Sequence, residues 1–476
     1  MNRPSIAFAV ATLLLAGAAG AEDLQSVYDH ALQADPTLQQ AANQHLATRE
    51  VRTQAVLAML PLDANVSKDW AGISGGAHSS TALLGNLGLQ VNLFSWSNWV
   101  ALKQSNAVVA QGEANWAAAQ EDLVARVAQQ YFAVLAAGDT LAAQDAALRS
   151  AQRQLEQAER RFEVGLIAVT DVQIARAARD SSNAAVIAAR RTLASAEEQL
   201  RAITGEKYRA LARPGDDMPL LTPDPASEDA WVSTALSQNA TLTASRMAAD
   251  ISHDDYLASI GGHLPQINAS VSRSWEIQKS GSTSLTQPPA FAATNTTDVT
   301  WQVGVTVPVF SAGATQSRVR QAHYTYKAAQ SGYERSLRQA EQQARDAYQG
   351  VISQIAQVSA FKQAVQSNQI SLQATEAGYE VGTKTAIDVL TARQQLVQAQ
   401  TSYAQARYGY LNNIVSLRQA AGNLDRATIA QINGWLVAAS TPDPTLGTAP
   451  QGADAAPADA PAATDPAAPV AAPAAR

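Results

Sequence analysis

RFEVGLIAVTDVQIAR (161–176) returns as GYEVGTKTAIDVLTAR (378–393), and this recurrence decides how the rest of the chain is read. Glu163, Val164, Gly165, Asp171, Val172, Ala175 and Arg176 come back as Glu380, Val381, Gly382, Asp388, Val389, Ala392 and Arg393, all at one offset. The same offset carries Leu200, Arg201 and Gly205 onto Leu417, Arg418 and Gly422. Upstream, LGLQVNLFS (87–95) recurs as VGVTVPVFS (303–311), and Leu60-Pro61 as Leu264-Pro265. Matched stations in one order mark a tandem duplication, which must be recognised before any local structure is read. The two repeats run over 22–225 and 226–440.

Working outward from the repeated segment, each half follows one plan. Gly165 and Gly382 read as helix C-caps, because glycine adopts the left-handed conformation that ends a helix without steric cost. Before them lie long proline-free stretches, about 98–163 and 314–377, predicted as helices of about 100 Å at the α-helical rise. In the second, Leu337, Ala340, Ala344, Ala347, Val351, Ile355 and Val358 step by threes and fours like a coiled-coil seam. After the glycines, shorter helices are predicted over 170–204 and 386–421. Such a partner covers only half of its long neighbour, so the helices that open each half, 37–58 and 239–259, are expected to stack end to end on it.

Between opening and long helix, hydrophobicity alternates with period two, the mark of a strand with one apolar face. In 62–70, Leu62, Ala64, Val66 and Trp70 alternate with Asp63, Asn65, Ser67 and Asp69. The same pattern covers 87–93, 267–275 and 301–309, where Trp301, Val303, Val305, Val307 and Val309 form the apolar set. The Gly/Ser/Thr-rich segments 71–84 and 276–300 read as loops. Four strands cannot close a barrel, which needs about eight. A small soluble sandwich would bury the tryptophans, whereas a membrane barrel shared between protomers accounts for the polar second face. In that second case Trp70, Trp275 and Trp301, read as lying at strand ends, form a membrane girdle.

The rest of the sequence excludes more than it adds. Residues 1–21 read as a signal peptide, with Arg3 before a short apolar run and Ala19-Gly20-Ala21 as the cleavage site. No other segment is apolar enough for a transmembrane helix. With no cysteine there is neither a disulfide framework nor a thiolate site, and a net charge of -7 disfavours nucleic acid as a partner. Histidines are scattered without ligand spacing, and His253-Asp254-Asp255 reads as a solvated helix face rather than a metal site. No nucleophile elbow, P-loop or dinucleotide fingerprint is present, so neither catalytic residues nor cofactors are expected. The Arg/Glu-rich 149–161 reads as an exposed coiled-coil surface. The Ala/Pro/Asp tail 441–476 cannot bury a core and is expected to be disordered.

Several segments together resemble the TolC family of outer-membrane secretion and efflux ducts over nearly the whole mature length. They are EDLQSVYDHALQADPTLQ (22–39), AQQYFAVLAAGDTL (128–141), QLRAITG (199–205), GHLPQINASVS (262–272), ARYGYLNNI (406–414) and the two repeated tips. The resemblance implies a homotrimer with a twelve-stranded barrel in outer-membrane lipid, continued by an α-helical tunnel through the periplasm. It also implies a periplasmic adaptor and an inner-membrane ABC or RND-type transporter as partners, with proteins or small toxic molecules as cargo and no chemistry. A missing lipidation cysteine resembles the TolC branch. A soluble periplasmic coiled-coil adaptor is the alternative, although adaptors carry a single hairpin rather than two.

The resemblance also assigns roles near the tips. Val164, Gly165, Leu166, Val381, Gly382 and Thr383 become adaptor-docking tips, alongside the C-cap reading of the glycines. Asp388 becomes an acidic ring at the entrance, or it is simply the N3 partner of a capping box led by Thr385. Where the family pattern has a second acid, this chain has Thr391. Thr170, Asp171, Tyr379 and Lys384 match the family's entrance latch, with Lys384 in place of an arginine. Lysine lacks the bidentate fork, so a looser latch is implied.

Overall fold

A computed structural model describes residues 21–59, 62–72, 78–215, 218–284 and 287–437. The signal peptide up to Gly20 and the tail from 441 lie outside the described residues. The chain opens with α1 (Leu24–Ala34) and α2 (Pro36–Leu57), then β1 (Leu62–Gly72), β2 (His78–Phe94), the long α3 (Trp96–Glu163) and α4 (Val169–Thr204). After the short β3 (Arg213–Pro214) the same order occurs again: α5 (Glu228–Gln238), α6 (Ala240–Ile260), β4 (Gln266–Ser284), β5 (Gln287–Thr306), the long α7 (Ala314–Glu380) and α8 (Ala386–Ala421). Helix α9 (Arg426–Asn433) and β6 (Leu436–Val437), which pairs with β3, complete the described chain.

Both long helices extend as the proline-free runs require, with 68 residues in α3 and 67 in α7. The seam of α7 is buried at Ala340, Ala344, Val351 and Val358. Helices α1 and α5 were not anticipated. Each is separated from the next helix by one capping residue: Asp35 accepts from the Leu38 N–H at 3.0 Å, and Asn239 from the Leu242 N–H at 2.9 Å. Asp35 is buried and paired with Arg126 at 2.7 Å, which offsets the cost of its desolvation.

End-to-end stacking is visible at both junctions. A Cβ at Gly205, just past α4, would lie 3.5 Å from the Ala34 Cβ. Gly422, just past α8, has φ +73°, and a Cβ there would come within 2.6 Å of the Gln238 backbone. The Asn239 side-chain amide completes this joint by donating to the Ala420 carbonyl at 3.0 Å. The main core collects at this level, with Leu24, Val27, Tyr131, Phe132, Tyr410, Leu411 and Ile429 all buried.

The four long strands form one antiparallel sheet in the order β1-β2-β4-β5. Register places Leu62, Leu89, Val271 and Trp301 in one row, and Ala64, Leu87, Arg273 and Val299 in the next on the same face. The alternate rows carry Asp63, Gly88, Ser272 and Thr300, then Asn65, Asn86, Ser274 and Asp298. One face is thus mainly apolar, with Arg273 as a charged exception, and the other is polar. Leu87, Leu89, Val299, Trp301, Val303 and Val305 are exposed on the apolar face. Strands β1 and β5 each have a single neighbour, so the sheet is open.

Three expectations about this region are corrected. Most of 71–84 and 276–300 is strand, not loop, because ladder hydrogen bonds pair Ser- and Thr-rich segments as well as alternating ones, and Thr favours extended backbone. At its other end β5 stops at Thr306 instead of continuing to Val309, in keeping with Pro308, which has no N–H for a ladder. Lengthened strands also move the tryptophans off one level. Trp275 aligns with Gly85 in mid-strand, its indole occupying the space a Cβ would need there. Trp301 and Trp70 fall in rows on opposite sides of it, each roughly 13 Å away at about 3.3 Å per residue.

The His253-Asp254-Asp255 reading is corrected as well. Asp254 is 3% exposed and pairs with Lys103 at 2.8 Å, while Asp255 accepts from Gln104 at 2.6 Å. These are packing contacts between α6 and α3, invisible until the two helices are side by side.

Candidate functional site

At the far end of the long helices, two tips carry the residues singled out from the sequence. Helix α3 ends at Glu163 with Val164 as its C-cap, and Gly165 turns the chain with φ +76°. The Leu166 N–H then donates to the Arg161 carbonyl and the Gly165 N–H to the Phe162 carbonyl, both at 2.9 Å. Helix α7 ends in the same way: Gly382 has φ +78°, and the Thr383 N–H donates to the Gly378 carbonyl at 2.9 Å. Each glycine satisfies the last carbonyls of its helix through a Schellman-type closure. Nothing lies within contact of a Cβ at either glycine, so backbone conformation alone demands them. Val164, Leu166 and Val381 project from these turns with 70%, 72% and 75% of their surface exposed.

Below its tip, the first hairpin packs Leu155, Ala158, Val172 and Ala175 into an apolar cluster with Ile167 against it. The second hairpin is tied by polar groups. Thr385 and Asp388 form a reciprocal capping box: the Thr385 N–H donates to Asp388 Oδ2 at 2.8 Å, and the Asp388 N–H donates to Thr385 Oγ1 at 3.2 Å. Those N–H and hydroxyl donors hold the exposed Asp388 carboxyl below its ordinary pKa of 3.8. The capping-box reading of Asp388 is therefore what a single chain displays.

The four latch residues are not joined to one another within the protomer: among the described residues no hydrogen bond or ion pair links Thr170 or Asp171 to Tyr379 or Lys384. Lys384 folds its stem against Gly378, where a Cβ would lie 2.8 Å from Lys384 Cγ. Tyr379 receives the Arg161 guanidinium over its ring at 5.5 Å. Arg393 donates to Glu376 at 2.6 Å and reaches across to Gln154 of α3 at 3.3 Å. In the first hairpin Arg176 meets Glu159 at 3.3 Å in the equivalent place. Arg176 and Arg393 stood out as a repeated pair in the sequence. Their partners Glu159 and Glu376 share the same offset; Glu159 and Arg161 fall in the stretch read as an exposed coiled-coil surface, and Glu376 was given no role.

At the opposite end of α3 and α7, Phe94, Trp96, Trp99 and Phe310 are exposed where sheet passes into helix. No periodic signal marks this aromatic group in the sequence, because it lies past the alternating stretches 87–93 and 301–309. Among the described residues no helix is long and apolar enough to cross a membrane, and no group of His, Cys, Asp and Glu could hold a metal ion.

The geometry has counterparts among known proteins. A family model described as "Outer membrane efflux protein" matches residues 27–206 and 231–423. The chain is 32% identical to the outer membrane protein TolC of Vibrio cholerae, over 89% of this chain and 95% of that protein. It is 27% identical to the alkaline protease secretion protein AprF of Pseudomonas aeruginosa, over 91% and 92% of the two chains. Among solved structures, the CmeC outer membrane channel of Campylobacter jejuni superposes with a TM-score of 0.69, covering 87% of this chain and 89% of that one at 18% identity.

Proposed function

Since the chain belongs to the outer membrane efflux protein family, we propose that it forms a homotrimeric exit duct in the outer membrane, exporting proteins and small toxic molecules without chemistry. The observation that carries this reading is the open four-stranded sheet with an exposed apolar face and a polar face, continued directly into α3 and α7. Apolar surface on this scale is unfavourable in water and favourable in lipid. Unpaired strand edges are not tolerated in hydrocarbon, so the edges β1 and β5 must pair with other copies. Three copies supply twelve strands, and six helical hairpins form the tunnel wall. The relatives whose names refer to protease secretion and to efflux support both kinds of cargo. Trp70, Trp275 and Trp301 sit in rows at different depths of the barrel in this reading, and Phe94, Trp96, Trp99 and Phe310 mark the periplasmic interface.

The hairpin tips form the entrance. Val164, Gly165, Leu166, Val381, Gly382 and Thr383 dock a periplasmic adaptor, which covers apolar side chains that water now surrounds. An inner-membrane transporter completes the passage. Three Asp388 carboxylates meet at the entrance, while Thr170, Asp171, Tyr379 and Lys384 latch neighbouring copies together. The protein should run as a trimer extracted from outer membranes; a soluble monomer in the periplasmic fraction, or a stable dimer, would refute the assembly. In planar bilayers a trivalent cation added from the tip side should block conductance, and Asp388→Ala should abolish the block. Block that survives the substitution would leave Asp388 as a helix cap only.

A further inference from the structure

Where α6 stacks on the end of α8, between α3 and α7, the helices enclose a half-open cavity of about 600 Å³. Glu121 of α3, Asn239 of α6, Gln343 and Asp346 of α7, and Asn413 and Gln419 of α8 line it. Its two ionisable lining groups are both acids, since no Lys, Arg or His borders it. Glu121 has neither a hydrogen bond nor an ion pair among the described residues. Its neighbours on α3 are committed elsewhere: Arg126 binds Asp122 at 2.6 Å and Asp35 at 2.7 Å. From α7, Asp346 is the facing charge, and among the described residues it accepts only a long bond from Gln342 at 3.3 Å. Helices α6 and α8 present amides and hydroxyls there, none of them ionisable.

A carboxylate partly withdrawn from water without a counter-charge is unfavourable until a cation arrives. A bare metal ion is a poor match, because no cluster of metal-holding side chains exists among the described residues. The volume instead falls in the range of organic-ligand pockets, about 300–1,000 Å³. We propose that this cavity binds an organic di- or polyammonium cation, with Glu121 and Asp346 neutralising its charge and the surrounding amide oxygens accepting its remaining N–H donors. Burial pushes the Glu121 carboxyl from 4.5 up to about 7. Occupancy therefore switches on as pH rises through neutrality, when the carboxylate forms.

Spermidine titrated calorimetrically into the full-length protein in neutral detergent tests this. The protein carries Asp388→Ala, so the tip carboxylate contributes nothing to the heat. One site per chain is expected, with affinity at pH 8 about sevenfold above that at pH 5.5, because a group titrating near 7 goes from about 3% to about 90% ionised and its neutral form binds about tenfold more weakly. Glu121→Gln should remove the pH dependence and lower affinity at pH 8 by about tenfold, and Asp346→Asn should lower it while keeping the pH dependence. Folding of the Gln variant has its own check. A carboxyl whose folded pKa is raised contributes stability that is present below 4.5 and lost as pH rises through about 7. Glu121→Gln should therefore melt at or above its parent at pH 8. Absence of binding, or unchanged affinity and pH dependence in the Gln variant, would overturn the site even if the duct itself stands.

Discussion

The two hairpin tips share a backbone and differ in what holds them. Both close on a left-handed glycine, Gly165 or Gly382, and both place an Arg–Glu pair below the turn. Beneath Gly165 the cement is apolar: Leu155, Ala158, Val172 and Ala175, with Ile167 over them. Equivalent positions beneath Gly382 are Leu372, Thr375, Val389, Ala392 and Lys384, so polar residues replace Ala158 and Ile167. The second tip compensates with the Thr385–Asp388 box and with an Arg393 side chain only 16% exposed, bonded to both Glu376 and Gln154. Hydrophobic cement depends little on salt and pH, whereas charge-assisted bonds respond to both. One tip is thus held mainly by apolar packing and the other mainly by a capping box and charge-assisted bonds. In the proposed duct the second is expected to be the one that opens.

The largest effect should come from the apolar cement. Leu155→Ala removes a buried side chain and is expected to cost about 2–4 kcal/mol. Leu372→Ala, at a half-buried position, should cost less than half of that. Hydrogen exchange localised to each tip reads the difference, and equal costs would dissolve the contrast between the tips.

Next in size are the arginines. Arg393→Ala strands Glu376 and Gln154 and should cost about 1.5–3 kcal/mol, the range for bonds to charged groups. Arg176→Ala breaks an exposed pair worth about 0–1 kcal/mol. Conductance should rise with the first substitution and stay near wild type with the second. The reverse order would mean that the first hairpin is the mobile one.

The smallest effect sharpens the comparison most, because it transplants a device. Thr385→Ala should cost about 1 kcal/mol, the usual worth of an N-cap side chain. Ala168 occupies the matching place at the first tip, where α4 has no side-chain cap although Asp171 stands ready at N3. Ala168→Thr should build the missing box and slow exchange at that tip. The acid response should move with it. Asp388 has a depressed pKa, so its capping contribution is present above 3.8 and lost as pH falls. Protection near 385–389, corrected for the intrinsic exchange rate at each pH, should fall in acid in the wild type, and a matching response should appear near 168–172 once the Ala168→Thr graft has built the box. An acid response at the first tip before grafting would show that capping is not its cause.

By itself the sequence determined the elements governed by short-range periodicity and steric rules. Proline-free runs and helix spacing are local properties, and they located α2, α3, α4, α6, α7 and α8 to within a few residues. Glycine's freedom at positive φ is equally local, and it marked the turns at Gly165 and Gly382. Alternation marked where strands exist but not how far they run, because ladder bonds depend on a neighbouring strand that sequence separation conceals. Helices α1 and α5 were hidden for a related reason: each is a short segment beside a longer helix, and its apolar side chains find their core only against α3 or α7. At the tips, residue types were legible and pairings were not. That Arg393 meets Gln154, that Arg161 covers Tyr379, and that Asp254 is buried against Lys103 all depend on how separate helices pack. Tertiary structure alone decided these, because a salt bridge or a buried carboxylate is set by distance and desolvation, and neither exists until the helices are side by side.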